Sequence, residues 1–182
     1  VVCRGGCERD LAGHQRVATE HPMTTFGMPQ GKRGLVPGGG GPVRLPRRVG
    51  TGPAIELIAS GDVITGSQAK TLGVVDACVP VHAARESACA FIEQTIATEE
   101  YCKRRAELQL PQVLDKPESD FLLATTGAVI VSRTKGNYPA PMVAFDTIMQ
   151  SATKSMKEAA ALESKAFADL SQTAVATQLV RG

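Results

Sequence analysis

The 182-residue chain has no Trp and only 4% aromatic residues, so any core it builds is aliphatic and Ala-rich. Charge of one sign is also scarce. Twenty Lys and Arg stand against 18 Asp and Glu, a net +2, which is too little for field-driven attraction to nucleic acid or a membrane surface. No apolar run approaches the length that spans a bilayer, and no charged segment followed by an apolar one opens the chain as a secretory signal would. The chain begins Val1-Val2-Cys3 without Met, as a fragment would. Its five cysteines are odd in number and scattered, which fits reduced thiols rather than a disulfide framework. The spacing of Cys3, Cys7, His14 and His21 matches no common zinc pattern, so no metal site is expected.

What is present suits one domain, or a domain with an appendage: 43% of the residues are hydrophobic. Residues 1–80 carry most of the glycines and short apolar runs, and residues 83–182 read as mostly helical, interrupted near Gly136-Asn137-Tyr138-Pro139. Short strands are expected at residues 16–19 and 24–27. Gly38 to Gly41 form a turn, after which Pro42 suits the first position of a helix. Thr51 is placed to cap a helix stopped by Gly61. Thr65 and Gln68 have capping-box spacing for a short helix ended by Gly73, and residues 74–79 read as the following strand. A helical face is expected from Ala84, Ala88, Phe91 and Thr95 with Ile92 and Ile96. Residues 121–131 are a strongly apolar helix candidate, although their Val and Ile content leaves a strand open. Met142, Phe145, Ile148, Met149 and Ala152 form a further apolar stripe, entered through Pro139 and Pro141.

Two segments could carry chemistry. Gly5-Gly6-Cys7-Glu8 places two glycines before a helix start, where outward-pointing N–H groups carry partial positive charge and can hold a developing oxyanion. Glu8 would sit one turn in, beside the same spot. The glycine run at 38–41 is not a phosphate loop, because it lacks the Gly-Lys-Ser/Thr ending. It also lacks the Gly-x-Gly-x-x-Gly spacing of a dinucleotide fold.

Taken in order, Gly-Gly-Cys-Glu at 5–8, Arg-Val-Ala-Thr at 16–19, Phe-Gly-Met-Pro at 26–29, Gly-Leu-Val-Pro-Gly-Gly-Gly-Gly at 34–41 and Arg-Leu-Pro-Arg-Arg-Val-Gly at 44–50 resemble the crotonase (enoyl-CoA hydratase/isomerase) signature. Leu72-Gly73-Val74-Val75-Asp76 continues it. Thr134 to Pro141 and the run through Glu158, Glu163, Phe167 and Leu170 resemble the multifunctional α subunits of fatty-acid β-oxidation. The resemblance implies an α/β fold, the C-terminal portion of a ββα spiral followed by a helical region. Residues 1–82 would be partial hydratase core, 83–135 a helical region completing that domain, and 136–182 a helical linker leading to a 3-hydroxyacyl-CoA dehydrogenase.

It also implies the chemistry, which is addition of water across the double bond of a trans-2-enoyl-CoA held between two glutamates and two backbone amides. Glu8 would be the first glutamate, and the second falls at Gln30. Gly5 and Gly6 would supply oxyanion and substrate contacts. An amide at Gln30 orients water but trades no proton at neutral pH, so catalysis is expected to be impaired. Arg4, Arg9, Asp10 and Gly13 also depart from the family pattern, Gly13 as a helix-weakening residue and the charges as burial costs. Lys32, Arg33 and Arg47 are basic but map onto no CoA-binding role. Acyl-CoA is the implied ligand. NAD would belong to the dehydrogenase, joined in cis, and a thiolase β subunit would join in trans. Such a protein would be cytoplasmic in a bacterium or lie in the mitochondrial matrix of a eukaryote.

Overall fold

A computed structural model describes residues 2, 3, 5–135 and 137–181. Arg4 and Gly136, both singled out in the sequence, lie outside the described residues. The strands are short and fall into two small sheets. Strands β1 (Val2–Cys3), β3 (Thr25–Gly27) and β4 (Val63–Thr65) form one, and β2 (Val17–Thr19) pairs with β5 (Ala77–Val79) in the other. β1 runs parallel to β3 with Val2 opposite Phe26, and β3 runs antiparallel to β4 with Phe26 opposite Ile64. β2 and β5 are parallel, Ala18 facing Cys78. Helix α1 (Gly5–Asp10) leads from β1 in the first sheet to β2 in the second, the chain returns from β2 to β3 through a short turn without a helix, and a helix at Gly66–Thr71 joins β4 to β5.

The rest is helical: α2 (Gly41–Arg44), α3 (Pro46–Val49), α4 (Thr51–Ser60), α5 (Gly66–Thr71), α6 (Ala84–Thr98), α7 (Glu100–Gln109), α8 (Lys116–Leu122), α9 (Ala128–Thr134), α10 (Ala140–Ala152), α11 (Met156–Ser171) and α12 (Ala174–Arg181). One aliphatic core runs from Leu11, Phe26 and Val36 through Ile55 and Ile58 of α4 to Phe145 and Ile148 of α10. Helix α10 packs on α4 and α2, and α11 packs on α10 and α2, so the last third of the chain is fastened to the glycine-rich first third. Among the described residues no helix is long and apolar enough to cross a membrane.

The local signals hold where the chemistry is short-range. Thr65 accepts from the Gln68 amide while the Gln68 side chain accepts from the Thr65 amide, closing the capping box of α5. Gly61 and Gly73 take left-handed φ values of 63° and 82° at or just past helix ends. Residues 121–131 are helical, with a wider turn at Leu123–Gly127. Other expectations need correction. Thr51 is the first residue of α4, not its cap, because the chain turns directly out of α3 at Gly50, and its hydroxyl instead donates to Gln112 Oε1 at 3.1 Å. Pro42 stands second in α2, after Gly41. Val74 and Val75 precede the strand in a turn, buried under it, since Asp76 is held by the Arg16 amide and side chain. Ile92 and Ile96 are 56% and 62% exposed, and of the expected α6 face only Thr95 is buried. α1 stops at Asp10, so Gly13 lies in the turn beyond it and carries no helix penalty, and Arg9 is exposed rather than buried.

Candidate functional site

The first turn of α1 carries Gly5 and Gly6 side by side and Glu8 about one turn beyond Gly5, with Gly5 exposed and Glu8 only 3% exposed. A Cβ added at Gly5 would meet nothing within 4 Å, so the backbone there is open to a ligand. The amides of a helix's first turn have no partner within the helix.

Glu8 is held from two sides. Its Oε1 accepts from the Gly39 amide at 2.7 Å and the Gly41 amide at 3.1 Å, and its Oε2 accepts from Gln30 Nε2 at 2.9 Å. Three donors therefore occupy most of the roughly four lone-pair directions of a carboxylate. A water could be held by Glu8 only in what remains, or by displacing Gln30. Gln30 itself comes from a single 3-10 turn, Pro29–Arg33, which follows β3 and is set by Pro29. The Gln30 Oε1 is buried without a hydrogen-bond partner among the described residues. The carboxylate fixes this orientation, because turning the amide over would set oxygen against oxygen.

The glycine turn that holds Glu8 requires its composition. Gly40 has φ 101°, and a Cβ there would collide with the Arg44 guanidinium; one at Gly41 would stand 2.7 Å from Met28 Sδ and 2.8 Å from Pro37 Cβ. Arg44 closes the turn, donating to the carbonyls of Gly39 at 2.6 Å and Glu8 at 3.3 Å. The pair expected from the sequence, Glu8 and Gln30, is thus brought together, and Gly5 and Gly6 lie on the same helix as Glu8.

Three participants were not singled out for the site from the sequence. Glu163 of α11 accepts from the Gly40 amide through Oε1 at 2.6 Å. Burial pushes its carboxyl up to about 7, against the opposing pull of the Gly40 amide, with the Glu8 charge adding to the rise. Tyr138 donates its hydroxyl to the Gly31 carbonyl and accepts from the Gly34 amide at 2.9 Å, fastening the turn that carries Gln30. Arg44 is the third. Only Glu163 left a readable signal: it is a carboxylate on the apolar stripe Ala159, Ala166, Leu170. Of the basic residues noted, Lys32 pairs with Asp62 at 2.9 Å and Arg47 donates to the carbonyls of Val43 and Lys154. Among the described residues no group of three His, Cys, Asp or Glu is arranged for a metal ion.

Comparison with known proteins follows the same lines. The family described as enoyl-CoA hydratase/isomerase matches residues 1–118. The fatty acid oxidation complex subunit alpha of Shewanella halifaxensis is 34% identical over 168 residues, covering 91% of this chain and 23% of that protein. The subunit of the same name from Vibrio cholerae serotype O1 is 37% identical over 180 residues, covering 93% and 24%. The chain thus spans about a quarter of the length of these relatives. The crystal structure of carnitinyl-CoA hydratase from Mycobacterium avium superposes with a TM-score of 0.61 at 23% identity, over 99% of this chain and 55% of that one, a likeness of fold. With the match extending over well more than half its length, the chain belongs to the enoyl-CoA hydratase/isomerase family.

Proposed function

We propose that this chain is part of an enoyl-CoA hydratase domain from a multifunctional β-oxidation protein, with the acyl thioester lying against the start of α1. In this reading the amides of Gly5 and Gly6 face the thioester oxygen as it gains charge, and Glu8 holds the water that adds to the double bond. The observation that carries it is the Glu8–Gln30 contact at 2.9 Å, which sets the carboxylate and the second side chain at one point beside the open helix start.

The same contact supports impaired hydration. Water addition needs a base for the attacking water and an acid for the carbon that receives the proton. Gln30 offers an amide, which does neither at neutral pH, and loss of a positioned acid/base costs about 10²–10⁴-fold. The chain alone should therefore give no measurable hydration of a short trans-2-enoyl-CoA, followed by loss of the conjugated thioester absorbance. Substantial turnover would contradict this. Residues 136–182 are assigned as the linker toward a 3-hydroxyacyl-CoA dehydrogenase domain that would bring NAD, with a thiolase subunit as partner; the support is similarity to oxidation-complex α subunits over most of the chain.

A second reading is an acyl-CoA-binding or assembly module without turnover. The Gln30 amide favours it, because its Nε2 is spent on Glu8 rather than on water. Calorimetry with a saturated acyl-CoA separates the two from a chain with no thioester site: heat of binding supports both, and its absence from folded protein removes both.

A further inference from the structure

Helix α11 contributes a carboxylate to the glycine turn from far along the chain: the Gly40 amide donates to Glu163 Oε1 at 2.6 Å across 123 residues. Glu163 is 3% exposed and its Oε2 is buried with no hydrogen-bond partner among the described residues. Its place on the helix is an apolar one. Ala159, Glu163, Ala166 and Leu170 recur at the spacing of a core-facing stripe, where a carboxylate is disfavoured unless a specific donor holds it. One turn further on, Phe167 lies against Gly38, since a Cβ there would stand 2.8 Å from its ring. Helix α11 therefore grips the same turn at two points.

The turn's amides alternate in what they bind. Gly39 and Gly41 donate to Glu8, and Gly40 between them donates to Glu163. Successive peptide planes are linked through Gly40, whose φ of 101° lies where glycine alone is unstrained and correspondingly free. Holding the middle amide fixes the direction of the two beside it. We infer that Glu163 is a positioning residue for the Glu8 carboxylate, acting through the Gly39–Gly41 turn from a helix outside the strand-bearing part of the chain. Its meaning for catalysis rests on the reading of Glu8 given above. The charged groups that face Glu163 are Glu8 from α1, which disfavours its ionised form, and Arg44 from α2, which favours it.

The test uses the whole chain with Glu163→Leu and Glu163→Gln, reading amide hydrogen exchange at Gly39 and Gly41 and the side-chain carboxyl carbon of Glu8 by NMR. Loss of a hydrogen bond to a charged group corresponds to about tenfold or more. Glu163→Leu should speed exchange at Gly39 and Gly41 by about that factor while the amides of Phe145 and Ile148 stay protected, and Glu163→Gln, which keeps an acceptor for Gly40, should restore it to within about twofold. Unchanged exchange in folded Glu163→Leu, or Glu163→Gln exchanging as fast as Glu163→Leu, overturns the proposal. If Glu163→Leu does not fold, the Glu8 carbon decides. In Glu163→Ala its chemical shift at fixed pH should move away from that of the unsubstituted chain and in Glu163→Gln return toward it, and the same shift in all three overturns the proposal. Neither readout uses substrate, so failure of the hydratase reading would appear only in thioester binding and turnover.

Discussion

Gln30 Nε2 donates to Glu8 Oε2 at 2.9 Å, so the two side chains proposed to face the acyl thioester are bonded to each other. A carboxylate in place of Gln30 would set two like charges at that separation, and such pairs share a proton rather than both ionise. Gln30→Glu should therefore create a group able to give and take a proton beside Glu8. The expected result is a rise of about 10²–10⁴-fold in hydration of a short trans-2-enoyl-CoA over the unsubstituted protein. Rates that stay equal would remove Gln30 as the cause of impairment.

Removing Glu8 tests how much the carboxylate holds together. Glu8→Ala leaves the Gly39 and Gly41 amides and the Gln30 side chain without their acceptor. Hydrogen bonds to a charged group contribute about 1.5–3 kcal/mol each, and the exposed turn can recover part of the loss from water, so a net loss of about 3–5 kcal/mol is expected in urea unfolding. Glu8→Gln keeps an acceptor for the turn and should cost clearly less.

Much of this geometry has no local signature. The strands at 17–19 and 25–27, the α5 capping box and the α10 stripe were legible because each depends on neighbours within a few residues. The pairing of Glu8 with Gln30 was legible only through resemblance to a family pattern, since 22 residues separate them. Tyr138 reaches Gly34 across 104 residues and Glu163 reaches Gly40 across 123, and neither pattern nor spacing encodes such a contact. Ile92 and Ile96 misled for the opposite reason. Their helical spacing is real, but α6 packs against β2 with Thr95, leaving them exposed. Val74 and Val75 read as strand because they are β-branched and buried, yet burial comes from a turn tied down by Arg16 and Asp76.

Asp76 anchors a second set of charges. Arg16, 8% exposed, donates its Nη2 to Asp76 Oδ2 at 2.8 Å and its Nε to the Val74 carbonyl at 2.6 Å, and Arg104 bonds the other carboxylate oxygen. Desolvation lowers the Arg16 guanidinium from its ordinary value, with Asp76 opposing. Asp76→Ala would leave a buried guanidinium uncompensated, so a loss of about 3–5 kcal/mol is expected in urea unfolding. Arg104→Ala should cost less, because Arg16 still neutralises Asp76.

Stability should depend on pH through Glu163. Its folded value is raised to about 7 from 4.5, mainly by burial. The folded state then holds a proton that the unfolded chain has released, so the stabilisation is fully present below about pH 4.5 and is lost as pH rises to about 7. The fall across that window should be about 3 kcal/mol, flattened in Glu163→Gln, measured as the urea midpoint against pH. The same slope in both proteins would assign it to another group.

The most direct test of the proposed site is a titration of the folded chain with a saturated short-chain acyl-CoA, followed through the backbone amides of Gly5, Gly6, Gly39 and Gly41 and the side-chain amide of Gln30. Saturable shifts at Gly5, Gly6 and Gln30, lost in Glu8→Ala variants that remain folded, are expected if the thioester lies at the start of α1 beside Glu8. Signals that stay fixed there, or that move only at residues away from α1, Gln30 and the Gly39–Gly41 turn, would place the ligand elsewhere and contradict the account.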